Sequence, residues 1–139
     1  MDIQSMIQRW RNSAPHLRSL LRIMSAIVFI QSGTMKLFAW PIGLPPGVPP
    51  IEPFSEIWFA GMLEVVGGAL MLIGYFTRPV AFVLAGEMAV AYFQAHAGKG
   101  FWTLVNGGAD AVLFCFIWLY FSAAGAGEWS LDARSENRK

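Results

Sequence analysis

Chemistry in this chain would have to begin at six residues. Arg22, Lys36, Glu64, Glu87, Asp110 and His96 are ionisable, and each falls within or at the edge of a long apolar stretch. A charge at the centre of a bilayer costs several kcal/mol, so each such group needs a partner or a task. With a rise of about 1.5 Å per residue, Glu64 and Glu87 lie near the middle of their stretches. Lys36 and Asp110 lie toward one side, and Arg22 lies toward the other. Lys36 and Asp110 match in depth and oppose in sign, which predicts an ion pair between them. Arg22 is expected to reach Glu87 or Glu64. One of those two glutamates is then expected to stay neutral, since ionisation inside hydrocarbon is costly.

Spacing shows which faces turn inward. Arg22, Ser25, Phe29, Ser32 and Lys36 follow steps of three and four. Ala60, Glu64, Gly67, Gly68 and Met71 share one side of the next stretch, and Glu87, Ala91 and Gln94 share one side of the third. Asn106 and Asp110 are a turn apart, and Asn106 is a good N-cap for the helix it precedes. Gly33, Gly67 and Gly68 are expected to let helices approach closely beside the acids. The expected polar cluster is Glu64, Glu87, Lys36, Arg22, Asp110, Gln94, His96 and Asn106. Two readings stand side by side. The cluster locks helix register, or it forms a pocket that handles protons or holds a quinone-like or other small ligand.

Other chemistry is excluded. Cys115 is the only cysteine, so intramolecular dithiol exchange is out. His16 and His96 belong to opposite membrane faces, which removes bis-histidine haem ligation. The methionines are scattered as bundle filler, and no metal site is expected. A net charge of +1 offers no field for nucleic acid.

The elements that must position these residues follow from composition. The chain has 139 residues, 55% hydrophobic and only 14% charged, against about 25% charged in soluble domains. Four apolar stretches, about 17–39, 54–76, 79–97 and 106–124, approach the roughly 20 residues that cross hydrocarbon as a helix. They do not alternate in polarity, so strands are excluded. The expected fold is all-α, a four-transmembrane-helix bundle. Residues 1–16 read as a short amphipathic helix lying on the membrane surface, ended near Pro15. A cleaved signal peptide is set aside, since no small-residue cleavage pattern follows Ile30. Residues 125–139 read as a polar, poorly ordered tail. The first connection holds six of the eight prolines, Pro41, Pro45, Pro46, Pro49, Pro50 and Pro53. It is a stiff spacer or a lid.

Orientation comes from Lys and Arg. Eight of the ten, Arg9, Arg11, Arg18, Arg22, Arg78, Arg134, Arg138 and Lys139, fall on one side, and Lys36 and Lys99 on the other. The positive-inside rule then puts both termini in the cytoplasm.

Glu64-x-x-Gly67-Gly68, followed by Leu70, Gly74 and Thr77-Arg78, resembles the second-span signature of the DoxX family of small four-helix membrane proteins. Gly33-x-x-Lys36, His96, Asn106-Gly107-Gly108 and Gly127-x-x-Ser130-Leu131-Asp132 are similar to family positions too. The resemblance runs from about Leu20 to Asp132. One departure stands out. The family often reads Asn-Gly-Gly-Glu, and here Ala109 takes that place, with Asp110 one step on and about 100° round the helix. The resemblance implies a bacterial inner-membrane protein linked to quinone-coupled sulfur oxidation or to oxidative, thiol or quinone stress. It implies an accessory or assembly subunit beside a soluble redox enzyme, with no catalysis of its own. Two alternatives stay open. One is a quinone-interacting oxidoreductase subunit. The other is a small transporter, which with four spans and no internal repeat would need to form a homo-oligomer.

Overall fold

The computed structural model describes residues 2–138, and Met1 and Lys139 lie outside them. Every regular element among the described residues is helical. Helix α1 (Ile3–Asn12) leads into α2 (Ala14–Phe38), with Pro15 in the first turn, where its missing N–H costs nothing. The proline-rich connection carries no helix. Helix α3 (Glu56–Ile73) starts at Ser55, whose hydroxyl accepts from the Trp58 N–H. It ends at Gly74 in the left-handed conformation, as C-terminal caps commonly do. Helix α4 (Thr77–Ala95) follows after three residues. A 3-10 turn, a single helical turn α5 (Thr103–Asn106), then α6 (Ala109–Ala124) and α7 (Leu131–Glu136) complete the chain.

Helix α2 lies along α3, α4 lies along α6, and α3 meets α4 between the two pairs. Glycines set the closeness. A Cβ on Gly33 would come 2.8 Å from the Gly61 carbonyl oxygen and 2.8 Å from Val65. One on Gly68 would come 2.6 Å from Ile30, and one on Gly67 would come 2.7 Å from Leu84. Phe29, Met71, Leu84, Met88, Trp118 and Phe121 fill the centre. The outside is apolar all round: Val66, Phe82, Phe93, Leu113 and Phe116 are all exposed. Contiguous apolar surface on that scale is a lipid-facing surface. Among the described residues, three helices are long and apolar enough to cross a membrane, the composition of a membrane protein.

Two expectations are corrected. The fourth apolar helix starts at Ala109, not Asn106, and runs 16 residues. That is about 24 Å, short of a full hydrocarbon thickness, because Gly107 and Gly108 break the chain before it. The tail after residue 124 is not poorly ordered. Gly125 and Gly127 take positive φ values of 78° and 84° and turn the chain back over the end of the bundle. There Trp129 N–H donates to Ser19 Oγ at 3.1 Å, and His16 lies 3.3 Å from Glu128. The start of α2 and the segment after α6 therefore meet at one end of the bundle, the terminal end. The proline-rich connection lies at the other, the loop end.

Candidate functional site

Lys36 stands in the last turn of α2 and Glu64 in the middle of α3. The Lys36 ammonium lies 2.6 Å from each Glu64 carboxylate oxygen. Ser32, one turn earlier on α2, joins them: it accepts from Lys36 Nζ at 3.0 Å and donates to Glu64 Oε1 at 3.2 Å. Glu64 is 1% exposed, and the Lys36 side chain 22%. Two glycines make this geometry. Gly33 on α2 leaves room for the Cβ of Glu64, and Gly61 on α3 leaves room for the Cβ of Lys36. Helix backbones brought this close let short reaches close a fully satisfied pair.

Glu87 supplies the third charge. Gly67 on α3 touches Leu84 on α4. The two helices run antiparallel, so one turn toward the loop end from that contact brings Glu64 and Glu87 to the same level. Both carboxylate oxygens of Glu87 are buried and have no hydrogen-bond partner among the described residues. Glu64 and Lys36 are the charges that act on it. A buried polar atom without a partner is uncommon and calls for a reason. Two carboxyls and one ammonium thus lie at one level of the bundle. One further proton, or one hydrogen-bond donor from a ligand, balances the site.

The remaining expected site residues fall elsewhere. The Lys36–Asp110 pair does not form. Asp110 is exposed in the first turn of α6, and α2 packs on α3, with little contact to α6. Equal depth did not make them neighbours.

Nor does Arg22 reach a glutamate. It is completely buried, and its guanidinium donates to backbone carbonyls: Ala126 at 2.9 Å, Leu72 at 2.7 Å, Trp129 at 2.5 Å, and Met71. The carbonyls at the C-terminal end of α3 have no helical partner, and a cation there also suits the helix dipole. Asp132 adds a negative charge nearby.

Asn106 is not the N-cap of α6, a place taken by Gly108. It is buried at the loop end, donating to Gly100 O at 2.8 Å and to Tyr92 Oη at 3.2 Å, and accepting from the Gly108 N–H at 2.8 Å. His96 Nδ1 lies 3.0 Å from Asn106 O. These two residues fasten the α4–α6 connection. Gln94 is exposed.

Thus Lys36, Glu64 and Glu87 come together, and Arg22, Asp110, Gln94, His96 and Asn106 do not join them. Ser32, which the expected polar cluster leaves out, belongs to the site. Its position four before Lys36, on the same helical face, was the available signal. No three His, Cys, Asp or Glu are grouped as metal ligands among the described residues.

The chain is similar to known proteins. The DoxX family model matches residues 17–97, which include Lys36, Glu64 and Glu87. A protein of Haemophilus influenzae, itself uncharacterized, is 43% identical over 122 residues, covering 85% of this chain and 90% of its own length. An uncharacterized membrane protein of Mycobacterium tuberculosis is 27% identical over 134 residues, covering 85% of this chain and 80% of its own. No solved structure matches the chain significantly.

Proposed function

This chain belongs to the DoxX family, and on that premise we propose that it is an inner-membrane accessory subunit of a quinone-linked redox system. Its bundle handles a proton at Lys36, Glu64 and Glu87. The carrying observation is the buried carboxyl of Glu87, unpartnered beside a satisfied ion pair. A quinone-sized ligand fits the chemistry of that group. Its carbonyl would accept from the Glu87 carboxyl when that is protonated, and Lys36 would offset charge that develops on the ring oxygen. The soluble partner supplies the redox chemistry, and the bundle supplies a site in the membrane. The family resemblance supports the redox assignment. A cytoplasmic location of both termini is supported by the meeting of the start of α2 and the segment after α6 at the arginine-rich end of the bundle.

A second reading has its own observation. Ser32, Gly33 and Gly61 make the Lys36–Glu64 contact complete in itself, as a helix lock would. The two readings part at Glu87, which a lock does not use.

The test is purification in mild detergent, with mass spectrometry of everything bound. The expected result is a lipid-soluble quinone and a redox protein, with the quinone lost in Glu64→Ala and in Glu87→Leu, which removes the donor. Recovery of phospholipid alone, from a protein that is folded and monodisperse, would overturn the reading. Orientation is checked with Lys99→Cys in a Cys115→Ala background. Labelling from the cytoplasmic side alone reverses the topology.

A further inference from the structure

At the terminal end, a cleft of about 580 Å³ opens between the start of α2, the start of α4 and the segment that follows α6. Two arginines line it. Arg18 donates through Nη1 to Ala124 O at 2.8 Å, and Arg78 donates through Nη1 to Ala123 O. Each is thereby pinned by a single nitrogen to the last turn of α6. A guanidinium carries five N–H donors, so most of each fork is left over. Arg18 Nε is buried without a partner among the described residues. So is the hydroxyl of Thr77, a residue that lines the same cleft and is 1% exposed. Gly125 has a positive φ and lies against the Arg78 guanidinium, where a Cβ would come within 3.2 Å of Nη2. The chain is shaped to keep that side chain folded over the helix ends.

The acids at this cleft are largely committed. Asp132 accepts from the Phe76 and Thr77 N–H groups at 3.0 and 2.9 Å, and Glu128 lies against His16. Glu136 is exposed. Beside the open carboxylate of Glu136, two guanidinium forks that make no salt bridge and a hydroxyl remain among the described residues. They stand at the ends of three apolar helices, which is the depth of lipid headgroups.

We infer that this cleft binds the phosphate of an anionic lipid headgroup, with Arg18 and Arg78 as a charged fork and Thr77 as a neutral donor. Basic pockets between membrane helices at this level take such headgroups, and the bidentate match of guanidinium to phosphate oxygens gives the preference for phosphate. The site lies at the opposite end of α2 from Lys36 and does not depend on the role proposed for Glu87.

The test uses the full chain in detergent, offered phosphatidylglycerol, phosphatidylcholine or inorganic phosphate, with native mass spectrometry of the retained lipid. Phosphatidylglycerol is expected to be retained over the zwitterionic lipid. Arg78→Gln should lower that retention about fivefold, from one charge removed near the surface. Thr77→Val removes no bond the fold uses. It should lower retention by a smaller factor with helix content unchanged by circular dichroism. Displacement of the lipid by millimolar phosphate supports the same chemistry with a soluble anion as the source. Equal retention of the two lipids, or full retention in a folded Thr77→Val, Arg78→Gln double variant, overturns the inference.

Discussion

Arg22 and Lys36 stand on one helix, fourteen residues or about 21 Å apart, and both are cations in an apolar bundle. They are held in opposite ways. Arg22 spends its fork on four carbonyls from two separate stretches of backbone. Lys36 rests on a carboxylate, with a hydroxyl between and a second carboxyl within range. A carbonyl does not titrate. It can hold a charge in place, and it can do nothing further with it. A carboxylate can take a proton and let the cation go. One end of α2 is therefore architecture, and the other has the parts for chemistry.

The contrast can be broken by substitution, and the largest effect belongs to Arg22. Arg22→Ala leaves four buried carbonyls without their donor and frees the segment after α6. Removing one member of a buried charged contact costs about 3–5 kcal/mol. Thermal unfolding in detergent should show it, and limited proteolysis should now cut after residue 124. Next comes Glu64→Gln, expected to cost about 2 kcal/mol, because it strands a lysine that is still partly open to its surroundings. A Lys36→Met, Glu64→Leu pair should recover most of that loss. The smallest change is Glu87→Leu. With no bond to lose, stability should move by less than about 0.5 kcal/mol, while quinone retention falls because the donor is gone. If Glu87→Leu were to destabilise as much as Arg22→Ala, both ends of the helix would be architecture.

These differences also mark how far sequence reasoning reached. Long apolar runs located the helices, because hydrocarbon admits little else. Lys36, Glu64 and Glu87 were legible as a group, because charge in such runs is conspicuous. The partners were another matter. Depth gave Lys36 and Asp110 the same height, but height does not say which helices are adjacent. Sequential neighbours usually pack together, and that rule points to Glu64. The partners of Arg22 were hidden for a different reason. They are backbone carbonyls, present at every residue, and only the turns at Gly125 and Gly127 bring two of them within reach. Those same glycines read as slackness in the sequence. Asn106 falls two residues short of the N-cap its side chain suits, because Gly107-Gly108 inserts a turn between the asparagine and α6.

The grip on Arg22 has a consequence in time. The ribosome makes Arg22 104 residues before Ala126, one of its acceptors. At about 5–20 residues per second, the first membrane helix waits roughly 5–20 s with its charge only half answered, by the end of α3. A nascent chain that stops before Ala126 has made only two of the four carbonyls that hold this cation, Met71 and Leu72.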